Sequence, residues 1–168
     1  QPSTDGNVMG NQVQKILNAK NNGDADYQNF DVITFSFGTN DDIDFALQTK
    51  ESVETQFVTN YEQNKFTIVP IENLNRQTLA GAMRYGFQKL HEAYPNAAIF
   101  MCTPTQECYE TFDSIYKKGK LINYIADRCG AETIDTRRCG IRNIYESQNC
   151  RCRNTYFHNG SFHFYLHG

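Results

Sequence analysis

No apolar run in this sequence approaches the roughly 20 residues that a membrane-spanning helix requires, so no membrane span is expected. Basic residues are scattered along the chain and the net charge is −3; a phosphate-binding face needs clustered Lys and Arg, so nucleic acid is not expected as a partner. Neither Gly-x-Gly-x-x-Gly nor a P-loop occurs, which disfavours nucleotide binding. Internal repeats, low-complexity stretches and linkers are also lacking, so residues 1–168 are read as a single domain. The polar start QPSTDGN has none of the apolar core of a secretory leader. The single sequon, Asn159-Gly-Ser161, is too common by chance to imply secretion, and the compartment stays open.

What is present fits a globular protein: 168 residues, 39% hydrophobic and 21% charged, enough for one domain with a real core. All six cysteines (Cys102, Cys108, Cys129, Cys139, Cys150, Cys152) lie in the C-terminal half. Cys102 falls inside an apolar run and is expected to be a buried, reduced thiol. The Cys150-x-Cys152 pair, followed by His158, His163 and His167, has the ligand types zinc prefers. Its one-residue spacing is poor for structural zinc, so neither a metal nor another cofactor is expected.

Hydrophobic periodicity gives an alternating order of helices and strands. Met9, Val13, Ile16 and Leu17 predict a helix over 8–20, stopped by the Asn/Gly/Asp-rich run 21–26. Residues 30–37, FDVITFSF, read as a buried strand emptying into a loop. Residues 44–75 show no sustained period beyond a short apolar piece at 66–71, and read as a long surface excursion. Leu79, Met83, Phe87, Leu90 and Tyr94 predict a helix over 77–94, closed by Pro95. A strand is expected at 97–103, a helix lined by Ile115, Leu121, Ile122 and Ile125 over 112–128, and a short strand at 131–136. Strands alternating with helices at these lengths predict βαβ units, hence α/β architecture: a three-layer α/β/α sandwich on a parallel sheet, with ligands beyond the carboxyl ends of the strands. After Thr136 no clear period remains.

The strand at 30–37 delivers Gly38-Thr39-Asn40-Asp41 to its carboxyl end. An asparagine amide there can donate to developing negative charge, and a neighbouring glycine lets a substrate approach the backbone. The same four residues also make an Asx-type turn with no function.

Residues 30–41 resemble the "GxND" block of the SGNH (GDSL-like) hydrolases, in which the Asn is an oxyanion-hole donor. Gly6-Asn-Val-Met-Gly-Asn is similar to the preceding block, whose glycine supplies a backbone N–H to the oxyanion; Gly6 is the matching position. Residues 79–106, a helix, "YPNA" and a strand ending in Thr-Pro, are similar to the segment after the GxND block. Residues 134–141 resemble the strand and loop before the final one. The likeness therefore covers roughly 6–146. It implies a flavodoxin-like α/β domain, and an acyl or acetyl ester hydrolase acting through Ser-His-Asp on a small ester or acylated carbohydrate, without a cofactor. On this resemblance Gly6 and Asn40 form the oxyanion hole, and Gly38 and Asp41 support its loop.

Two departures qualify that reading. The block that provides the nucleophile, Gly-Asp-Ser, precedes the Gly6 block in the family and is not in this chain; Ser3, Ser36, Ser52, Ser114, Ser147 and Ser161 lie in neither that setting nor Gly-x-Ser-x-Gly. Each of these serines is expected to be solvated or to cap a helix. At the other end, His163 and Gly168 keep the spacing of the family's last block, but Gly160 stands where its Asp belongs and Phe164 where its proline does. His163 is then either a degenerate general base or a packed aromatic-flanked residue, with the genuine block beyond it. The fold is accordingly expected to be incomplete and the 168 residues inactive or nearly so. The competing reading is a non-catalytic domain on the same fold that binds a carbohydrate or an acylated polymer through its Tyr/Phe-rich loops. A thiol hydrolase using Cys102 or Cys139 with a tail histidine is a third.

Overall fold

The computed structural model describes residues 9–38, 49–59, 67–104 and 112–136. Within them the chain is mixed α/β. Helix α1 (Met9–Asn21) leads to strand β1 (Val32–Phe35), and the crossing to β4 (Ala98–Cys102) holds α2 (Lys50–Glu54), β2 (Val58–Thr59), β3 (Thr67–Ile68) and α3 (Leu79–Ala93). Helix α4 (Phe112–Cys129) then precedes β5 (Glu132–Ile134). Each main element lies within a few residues of its sequence-based expectation.

Helix ends follow local chemistry. Thr78 caps α3, its side chain accepting from the Gly81 N–H at 3.1 Å, and Tyr94 ends it before Pro95, which disfavours helical backbone in the residue ahead of it. Helices α1 and α4 both finish on a glycine of positive φ, Gly23 and Gly130. In each, the N–H after the glycine reaches back to a carbonyl of the last turn: Asp24 to Ala19 at 3.1 Å, Ala131 to Ala126 at 2.9 Å. This left-handed closure satisfies carbonyls the helix leaves over.

The three longer strands form one parallel sheet in the order β1-β4-β5. The register aligns Phe35 with Met101 and Met101 with Thr133, so all three carboxyl ends lie along one edge. Side chains alternate between two faces. Ile33, Phe35, Ile99 and Met101 point into one core with Met9 and Val13 of α1, Leu79, Met83 and Leu90 of α3, and Ile122 and Ile125 of α4. Met83, Met101, Ile122 and Ile125 are wholly enclosed there. Val32, Thr34, Ala98, Phe100, Cys102 and Ile134 fall on the opposite face, where Val32 is 57% and Ile134 37% exposed and Cys102 is buried. The described residues therefore place helices against one face of the sheet.

The crossing over 49–75 differs from a polar surface excursion. Val53 is 1% exposed and Phe57 is buried, both joining the main core, and β2 and β3 pair antiparallel. With Val69 and Leu74 also buried, four apolar residues without a sustained period anchor it, and polar clasps add to them. The Glu54 carboxylate accepts from Tyr124 Oη at 2.6 Å and pairs with Arg128 Nε at 2.9 Å, and the Gln56 side chain accepts from the Asn75 N–H at 2.8 Å.

Candidate functional site at the carboxyl edge of the sheet

In open α/β sheets ligands sit outside the carboxyl ends of the strands. Three residues beyond the Phe35, Met101 and Thr133 row, the chain stands at Gly38, Pro104 and Thr136. Gly38 is buried with φ of +98°, a backbone state that side chains strain to enter. A Cβ there would stand 3.0 Å from Ile122 Cδ1 and 3.5 Å from a Leu79 methyl. Two demands thus select glycine: the turn itself, and the close approach of α3 and α4. The side of Gly38 that a side chain would occupy faces these helices.

The ends of β4 and β5 are locked together by one threonine. Thr103, 1% exposed, accepts at Oγ1 from the Thr136 N–H at 3.1 Å, and its hydroxyl lies 3.1 Å from Asp135 Oδ1, to which it donates. Its own N–H donates to the Ile134 carbonyl at 3.0 Å, and the Thr136 hydroxyl closes the ring by donating to the Thr103 carbonyl. A carboxylate is thereby fixed at the carboxyl edge by a buried neighbour. Sequence reasoning did not single out Thr103 or Asp135; the available signal was a polar residue directly after each of two strands, which a loop explains equally well.

Of the residues expected to act, Gly38 is described, at the carboxyl end of β1. Gly6, Asn40, Asp41 and His163 lie outside the described residues, as do Cys139, Cys150, Cys152, His158 and His167. Among the described residues no grouping of His, Cys, Asp and Glu is able to hold a metal ion, and no helix is long and apolar enough to cross a membrane. Ser52 lies within α2, whose cap is Thr49: the Ser52 N–H donates to Thr49 Oγ1 at 3.3 Å and its hydroxyl to the Thr49 carbonyl at 2.8 Å, while Ser36 is exposed. Cys102 is a buried thiol at the end of β4. Burial pushes the Cys129 thiol up to about 12, against the opposing pull of Arg84 and Arg128, so it is protonated and a poor nucleophile at neutral pH.

Comparisons with protein-family models, with curated proteins and with solved structures give no match for this chain.

Proposed function

We propose that this chain is the middle and C-terminal part of a serine ester hydrolase of SGNH type, whose nucleophile lies upstream of it. Asn40 and Gly6 serve as oxyanion donors, and Gly38 and Asp41 shape the loop between them. The observation that carries the reading is the placement of Gly38. The Gly-Thr-Asn-Asp segment begins at the carboxyl end of an all-parallel sheet, on the edge where α/β enzymes bind ligands. Strand order supports it as well. The run β1-β4-β5 has the form of the last three places of the flavodoxin-like order 2-1-3-4-5, which leaves the third layer and two strands to the rest of the domain. In that arrangement an upstream serine attacks the ester carbonyl, a histidine takes its proton, and the N–H groups of Gly6 and Asn40 receive the charge that forms on the carbonyl oxygen.

The test begins with the coding sequence. Reading it in frame on both sides should reveal Gly-Asp-Ser upstream and Asp-x-x-His downstream. The longer chain should then hydrolyse p-nitrophenyl acetate, and Asn40→Ala in it should lower kcat by roughly 10²–10³-fold. Absence of both blocks, or hydrolysis indifferent to Asn40, would overturn the proposal.

A further inference from the structure

Stability is uneven within a domain: a stretch with its own internal pairing and few links to the rest opens ahead of it. The crossing meets both conditions. Strands β2 and β3 pair with each other and with none of β1, β4 and β5. The Val69 N–H donates to the Phe57 carbonyl at 3.0 Å and Thr59 Oγ1 to the Thr67 carbonyl at 3.3 Å, so the two halves, 49–59 and 67–74, are fastened to one another. Links outward are few. Among the described residues, the hydrogen bonds and ion pairs from these halves to α1, α3 and α4 run through two side chains. Arg84 of α3 holds the Gln56 and Val69 carbonyls, and Glu54 of α2 holds Tyr124 and Arg128 of α4. Val53 and Phe57 enter the main core, whereas Val69 and Leu74 are buried outside it. With those two withdrawn, the core keeps Met83, Leu90, Met101, Ile122 and Ile125.

We propose that 49–59 and 67–74 form a strap that opens as one unit from α3 and α4 while the sheet and its helices stay folded, with Arg84 and Glu54 as its clasps. Its fixed end is Asn75. The Asn75 carbonyl accepts from the Thr78 N–H at 3.0 Å and the Thr78 hydroxyl at 2.8 Å, which ties it to the start of α3. A Cβ on Gly81 would stand 2.2 Å from that carbonyl oxygen, so the helix and Asn75 stay in close contact. The bond from the Asn75 N–H to Gln56 Oε1, at 2.8 Å, is then broken on opening together with the clasps. Opening uncovers the seat of Phe57, over whose ring the Arg84 and Arg128 guanidinium groups lie, 5.2 and 5.3 Å from its centroid. The inference does not depend on the ester-hydrolase reading.

Native-state hydrogen exchange of the full chain in low concentrations of urea tests it. The hydrogen-bonded amides of Val53, Phe57 and Val69 should exchange faster than those of α3 and β4. They should share one urea slope, shallower than that of the core, because a strap exposes less surface than global unfolding. Two variants separate the openings. Val13 is 2% exposed in the core and belongs to α1, which the strap leaves in place; Val13→Ala should speed the α3 and β4 amides roughly tenfold or more and leave the strap amides unchanged. Glu54→Ala removes a clasp that both openings break, and should speed strap and core amides by the same factor. Acceleration of the strap amides by Val13→Ala, or a urea slope equal to that of the core, would overturn the proposal by showing that the strap opens only with the whole protein. Separate slopes for Val53, Phe57 and Val69 would overturn it as well, since they would show no common unit.

Discussion

Arg84 on α3 donates from Nη2 to the carbonyl oxygen of Val69 at 2.7 Å, across from one of the crossing's short strands. The same guanidinium donates from Nη1 to the Gln56 carbonyl and lies over the Phe57 ring, 5.2 Å from its centroid. A charged side chain 8% exposed is tolerated here because two backbone acceptors, left over by a crossing with little secondary structure, take its protons. Burial pulls its pKa down from the usual arginine value.

Arg84→Met keeps an unbranched apolar stem and removes both charge-assisted bonds. It should destabilise the protein by about 2–4 kcal/mol, since two carbonyls lose their partner at once. Urea unfolding measures this, and hydrogen exchange should show the loss concentrated in 49–75. A change below about 1 kcal/mol would mean that the clasp is incidental.

Three glycines should respond differently to alanine. Gly86→Ala meets a Phe35 ring carbon at 2.9 Å and Val13 at 3.3 Å, so the gain of about 1 kcal/mol in helix propensity is outweighed by overpacking of roughly 1–3 kcal/mol. Gly10 in α1 has nothing within 4 Å of the added carbon, and Gly10→Ala should stabilise by about 0.5 kcal/mol. Gly38→Ala combines positive φ with the Ile122 contact and should cost about 1–3 kcal/mol. A thermal midpoint that rises for Gly86→Ala or Gly38→Ala, or falls for Gly10→Ala, would contradict the packing described.

Thr103→Val preserves shape and removes the hydroxyl that joins the strand ends. It leaves the Thr136 N–H and the Asp135 carboxylate without this partner, at an expected cost of about 1–3 kcal/mol. Serine at the same position should recover part of the loss. If valine and threonine prove equally stable, the hydroxyl does not lock β5 to β4.

Cys129 gives the protein an alkaline limit. Its thiol has an ordinary value of 9.0 and is pushed up to about 12 in the folded chain, so between those values the unfolded state releases a proton that the folded state keeps. Stability from this group is full below about pH 9 and falls as pH rises, by up to about 1.4 kcal/mol per unit. Tyr94, raised by burial, and Tyr124, raised first by its hydrogen bond to Glu54, act in the same direction. Chemical denaturation from pH 8 to 11 should show the decline, and Cys129→Ala should flatten it while lowering the stability at pH 8. A slope the substitution leaves unchanged would assign the alkaline loss to other groups.

The order of helices and strands was legible from the sequence because it depends on short-range chemistry. Leu79, Met83 and Leu90 recur at helical spacing and are buried as that spacing requires. The Asn/Gly/Asp run after α1 closes it through Gly23, and the βα alternation gives a parallel sheet. Gly38 was legible as a turn glycine at a strand end. The contacts that make it indispensable, Leu79 and Ile122, come from helices 41 and 84 positions along the chain (79 − 38; 122 − 38), and no local pattern reports them. The same holds for Val53 and Phe57 in the crossing, for Arg84 turned inward to meet two carbonyls, and for Thr103 closing on Asp135. Periodicity records which side of an element is apolar. Only tertiary structure decides what that side meets, which polar groups are carried inward with it, and which face of the sheet α1, α3 and α4 cover, because those outcomes depend on partners distant in sequence.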